Sequence, residues 1–178
     1  MKNKRLLLLA PALAAFTLGA QAVDLTPKGA YVMASTAAHG TRTLAGGVIW
    51  PWSWRSPTSG GEWTGLTEGY VAAWRARDVT GHQSLAQVGL VPLIRYRSGQ
   101  GWFVEGGIGI SFTNKLYVTP DKTFSTRFNF VDTIGAGYAF GDQRKHEVGL
   151  RITHMSNASI KRPNPGENFL QLRYAVMF

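Results

Sequence analysis

The chain has 178 residues, 19 lysines and arginines against 10 acidic residues for a net charge of +9, and no cysteine. That length suits one domain, and the lack of cysteine excludes a disulfide framework or a thiolate metal site. The positive balance points to nucleic acid, an acidic surface or anionic lipid, and charge alone does not choose among them.

The first element in chain order is an export signal over residues 1–22. Lys2, Lys4 and Arg5 form a positive n-region, Leu6 to Leu18 is apolar but too short to cross a bilayer as a helix, and Ala20-Gln21-Ala22 is a small-x-small cleavage site. The mature chain, 23–178, is expected to start at about Val23 and to form a single domain. Export makes nucleic acid a poor partner and phosphorylated lipid a good one. An exported chain without disulfides needs another source of stability, and a closed hydrogen-bonded barrel supplies one.

Beyond the signal no long helical period appears. Alternation with period two recurs instead, broken by Gly, Pro, Asp and Asn. It predicts an all-β fold, an eight-stranded antiparallel transmembrane β-barrel, with strands near 29–37, 42–51, 62–77, 84–97, 101–111, 127–140, 145–156 and 168–178. In the third strand Tyr70, Ala72 and Trp74 alternate with Val71, Ala73 and Arg75. In the fourth, Val88, Leu90, Ile94 and Tyr96 alternate with Gln87, Arg95 and Arg97, and Pro92 predicts a bulge or broken pairing. In the eighth, Leu170, Leu172, Tyr174, Val176 and Phe178 form one row and Gln171, Arg173 and Ala175 the other, a wall between lipid and a polar interior. The terminal Phe178 resembles an assembly signal of outer-membrane barrels.

Eight strands leave an interior that side chains fill; inward Arg95, Arg97, Glu105, Arg151 and Arg173 are expected to fill it and pair there. The tryptophans at 50, 52, 54, 63, 74 and 102 fall near strand ends, as an interfacial aromatic girdle requires. With both termini periplasmic, the segments near 38–41, 78–83, 112–126 and 157–167 become outside loops.

The seventh strand carries the chemistry. His154 and Ser156 continue the row of Val148, Leu150 and Ile152, so both point toward lipid near the outer rim. Imidazole beside a hydroxyl can take its proton as the oxygen attacks. Two polar residues at headgroup level are the alternative, because H-x-S alone has little specificity. A turn pairing Gly141 with Lys145 would set Asp132 opposite His154; an Asp at the rim bonding Arg127 or a loop is the competing reading.

His154-Met155-Ser156-Asn157-Ala158, followed by Lys161-Arg162-Pro163-Asn164-Pro165-Gly166-Glu167-Asn168 and a short last strand, resembles the signature of the PagL-type lipid A 3-O-deacylases. The resemblance implies an outer-membrane esterase that hydrolyses the acyl ester at position 3 of lipid A; the direction of the seventh strand sets its site toward the outer leaflet, and with four dispersed histidines no metal or other cofactor is expected. The resemblance also implies Ser156 as nucleophile, His154 as general base and Asn157 as an adjacent supporting asparagine. Asn164 and the N–H groups near Ala158 and Ser159 are candidates to stabilise the oxyanion. The family pattern places a glutamate twelve residues beyond the serine, where this chain has Asn168, with Glu167 one step earlier. A bulge at the start of the last strand would turn Glu167 toward His154; Glu167 is therefore the expected orienting acid, with Asp132 in support and Asn168 as the other choice.

Lipid A or lipopolysaccharide is the expected substrate and outer-membrane lipids the surroundings, with a homodimer left open. Lys115, Lys122, Lys161 and Arg162 could meet lipid A phosphates or simply be solvated. His39, His82 and His146 read as solvated surface residues. The rival functions are a non-enzymatic barrel for adhesion or membrane integrity and an acyltransferase barrel.

Overall fold

The computed structural model describes residues 25–78 and 81–178; the expected export signal lies outside them. Eight strands, β1 (Gly29–Ala37), β2 (Arg42–Thr58), β3 (Gly61–Asp78), β4 (Gly81–Ser98), β5 (Trp102–Thr113), β6 (Phe128–Phe140), β7 (His146–Ser156) and β8 (Glu167–Met177), follow one another in chain order. Each pairs antiparallel with its neighbour, and β8 closes on β1, giving a closed barrel without free edges. This is the fold that the alternation predicts. β2 runs seven residues past its predicted end, with a register shift between Pro51 and Arg55. At Pro92, which has no N–H to give, the β4–β5 ladder is interrupted between Leu90 and Ile94 without a slip in register.

Period-two alternation sorts the side chains into two environments. Val32, Val71, Val88, Ile108, Ile134 and Leu172 stand exposed on the outside, an apolar surface of the kind a transmembrane barrel turns to lipid. The inside holds a continuous ion-pair network. Glu105 bridges Arg95 (2.8 Å) and Arg151 (2.7 Å). Glu68 joins Arg151 and Arg173, each at 2.7 Å, and Glu147 joins Arg95 (2.8 Å), Arg97 (2.6 Å) and Arg173 (3.1 Å). Buried charge is tolerable only when paired in this way, because removing one partner strands the others in a water-poor interior. Glu68 and Glu147 complete a network that the sequence reading left short of acids.

The β5–β6 connection folds into the barrel mouth instead of standing free. Its Tyr117 and Phe124 are buried and meet edge to face at 5.1 Å between ring centroids, while Tyr117 and Phe169 pack on Trp74 at 5.5 and 4.9 Å. Trp74 is thus an interior residue, not part of a girdle: both rows of the third strand are largely apolar, and Val71 takes the outward one. Trp52, Trp54, Trp63 and Trp102 are exposed, all toward the end with the short β2–β3 and β4–β5 turns, and Tyr96 lies between Trp63 and Trp102 at 5.3 and 5.4 Å.

Candidate active site

β7 delivers the site at the end of the barrel where the long connections lie. Its inward row is Glu147, Arg151, Thr153 and Met155, all buried; its outward row ends in His154 and Ser156, both half-buried. The β6–β7 turn gives the register that the sequence suggests, pairing Asp132 with His154 and Phe130 with Ser156. Asp132 is thus the β6 neighbour of His154 in the ladder, with no hydrogen bond or ion pair joining the two side chains.

On the other side, β8 sets Asn168 directly opposite His154, and Asn168 Oδ1 lies 2.7 Å from His154 Nδ1. An amide oxygen only accepts, so Nδ1 is the donor in this contact, and in the neutral ring that tautomer leaves the Nε2 lone pair free. The expected bulge at the start of β8 is absent, since the β7–β8 register runs unbroken from Met155 with Glu167 to His146 with Val176. Parity therefore turns Glu167 inward, where it is buried, takes a hydrogen bond from Tyr117 Oη (3.0 Å) and pairs with Lys122 Nζ (2.9 Å). Glu167 does not reach the imidazole; Asn168 does.

Gly166 also belongs to the site, and its role is not visible in the sequence. It has φ of +63°, and a β-carbon there would stand 2.6 Å from His154 Cε1 and 3.0 Å from Nε2. The imidazole edge therefore rests on a glycine that has room for nothing more. A glycine after Asn-Pro reads only as a turn.

The chain after the nucleophile is bent tightly. Ala158 and Ser159 both adopt left-handed conformations (φ 50° and 62°), which cost a non-glycine residue about 1 kcal/mol or more each and persist only where surroundings impose them. Asn157 imposes them from inside: its Nδ2 donates to Ser125 Oγ (3.0 Å) and the Lys161 carbonyl (2.9 Å), and its carbonyl accepts from Ile160 N–H (3.0 Å). Its own N–H donates to Asn164 Oδ1 at 3.0 Å, which leaves the Asn164 amide NH2 as the donating end of that side chain. The Ala158 N–H points at Ser156 Oγ, 3.4 Å away. Asn157 is thus a buried brace, and the backbone N–H after it is the group aimed at the nucleophile.

Among the remaining candidates, Lys115, Lys161 and Arg162 are exposed, whereas Lys122 is drawn inward to Glu167. His146 is not simply solvated. It stacks between Phe140 and Tyr174, with Nδ1 2.8 Å from Tyr174 Oη. His82 is exposed, and the His39 side chain lies outside what the structure describes.

A closed eight-stranded barrel with histidine, asparagine and serine gathered on its lipid-compatible face defines the class: a small membrane barrel built like an enzyme. Comparison with known proteins agrees. A family model described as lipid A 3-O-deacylase (PagL) matches residues 43–177, which includes every site residue above. The chain belongs to this family. The lipid A deacylase PagL of Bordetella bronchiseptica is 37% identical over 93 residues, 52% of this chain and 50% of that protein, so the aligned segment spans half the relative's length. The lipid A deacylase PagL of Pseudomonas aeruginosa is 34% identical over 136 residues, covering 73% of this chain and 75% of its own. A crystal structure described as the outer membrane enzyme PagL superposes with a TM-score of 0.73 at 26% identity, covering 84% of this chain and 99% of that one.

Proposed function

We propose that this chain is an outer-membrane lipid A 3-O-deacylase in which Ser156, His154 and Asn168 form the catalytic row. The observation that carries the reading is the 2.7 Å contact from Asn168 Oδ1 to His154 Nδ1, on the outward face that also presents Ser156. Long connections of outer-membrane barrels face outside and short turns face the periplasm. β7 therefore lifts the site to the outer leaflet, where lipid A resides, and the ester meets the serine without leaving the membrane.

Ser156 Oγ attacks the ester carbonyl carbon while its proton passes to His154 Nε2. The Ala158 N–H and the Asn164 amide are the donors for the tetrahedral oxyanion. Collapse breaks the bond to the sugar oxygen, which takes the proton from the imidazolium and leaves as the 3-hydroxyl. A water deprotonated by Nε2 then attacks the acyl-serine, releasing the fatty acid and restoring the serine hydroxyl. The Ser156 hydrogen bond here comes from Ala158 and not from the ring; such contacts commonly tighten only with substrate bound.

Asn168 fixes the tautomer as a carboxylate would, but it carries no charge to stabilise the imidazolium. The Asp132 carboxylate on the opposite strand supplies that charge. Asn168→Ala is expected to lower kcat by about 10²-fold through loss of orientation, and Asn168→Asp to restore most of it. Fatty acid release from lipid A in detergent measures both. Less than a twofold loss in Asn168→Ala would remove Asn168 from the site.

A further inference from the structure

Residues 166–168 meet the imidazole on one side and an interior lysine on the other. Lys122 Nζ, carried on the β5–β6 connection, donates to the Gly166 carbonyl at 3.1 Å and to Glu167 Oε1 at 2.9 Å. The same carboxylate oxygen accepts the backbone N–H of Asn168 at 3.1 Å. Its second oxygen takes Tyr117 Oη at 3.0 Å, and Tyr117 Oη lies 2.8 Å from Thr41 Oγ1. Burial pushes the Tyr117 phenol up, so it stays a donor. Lys122 is itself held in a tight turn, where its N–H meets Thr119 Oγ1 (3.0 Å) and its carbonyl accepts the Thr119 N–H (2.7 Å).

One ammonium group therefore holds the peptide under the ring and the residue that precedes the ring's hydrogen-bond partner. We propose that Lys122 is a positioning residue: through the Gly166 carbonyl and the Glu167 carboxylate it sets the distance of Gly166 and Asn168 from the His154 imidazole. Glu167 acts in the same clamp from inside the barrel, which gives that acid a task without contact to the reacting atoms. The idea rests on the Ser156–His154–Asn168 reading.

The test compares Lys122→Met, Lys122→Arg, Glu167→Gln and Ser156→Ala on lipid A in detergent, with thermal melting of each barrel. Misplacement of a catalytic group by about 1 Å costs on the order of 10²-fold, so Lys122→Met is expected to lower kcat by roughly ten- to a hundredfold on the same ground, with KM unchanged. Lys122→Arg, which restores the charge and donors, should recover most of the loss. Glu167→Gln keeps the shape and an acceptor, so it should fold and lose less than Lys122→Met, again in kcat. Wild-type kcat in Lys122→Met, or a rise in KM alone, overturns the clamp, the latter because it would make Lys122 a substrate contact. Should Lys122→Met not fold, wild-type kcat in Glu167→Gln overturns it equally. An active Ser156→Ala would instead overturn the underlying reading, whatever Lys122 does.

Discussion

Ser156→Ala and His154→Ala are each expected to lower deacylation by at least about 10³-fold, and the double variant to be no worse than either single one. The non-additivity follows from their division of labour: the imidazole contributes only by moving the serine proton, and the hydroxyl is a weak nucleophile without it. Neither change should unfold the protein. Both side chains lie on the outward row, and the hydrogen bond at Ser156 Oγ is a long one, 3.4 Å from the Ala158 N–H. Surface substitutions usually stay within about 0.5 kcal/mol; His154→Ala also gives up the 2.7 Å bond to Asn168, worth about 1 kcal/mol, so both variants should stay folded while turnover is lost. Fatty acid release from purified enzyme, with thermal melts in parallel, checks both halves.

Gly166→Ala is expected to cost about 10²-fold in kcat, although the residue takes no part in proton transfer. Two penalties coincide there. The left-handed backbone at φ +63° disfavours a side chain, and the new methyl would lie 2.6 Å from His154 Cε1. Between two elements that cannot both stay, the ring yields, because Lys122 holds the Gly166 carbonyl while the imidazole pivots on a rim. Gly40 is the control: it too is left-handed, at φ +79°, but nothing lies within 4 Å of its position. Gly40→Ala should therefore show the backbone penalty in a melt and full activity in the assay. A comparable loss of kcat in both variants would mean that the glycine conformation, not the closeness to His154, matters.

Much of this molecule was legible from alternation, because a thin barrel wall gives every second residue the opposite environment. The strand order and the inward arginines follow from that parity, while the opposition of Asp132 and His154 follows from the register of the short β6–β7 turn. Parity failed where both rows of a strand are apolar, which is why Trp74 read as a girdle residue. It also carried more weight than expected at β8. A bulge was needed to bring Glu167 to the histidine; the strand begins without one, and Asn168 takes the place that alternation assigns. Contacts between connections left no local trace. Lys122 and Glu167 are 45 residues apart, and nothing about a lysine in a loop distinguishes one that is solvated from one that reaches back into the mouth of the barrel.

The most direct measurement is the mass spectrum of lipid A from cells with ester-linked 3-acyl chains that express either the wild-type chain or Ser156→Ala. The wild type is predicted to convert lipid A to a species lighter by one 3-hydroxyacyl group, cleaved at position 3, while Ser156→Ala, folded and present in equal amount, leaves it intact. Unaltered lipid A with the folded wild type, a gain of an acyl chain, or the same loss with Ser156→Ala would contradict it.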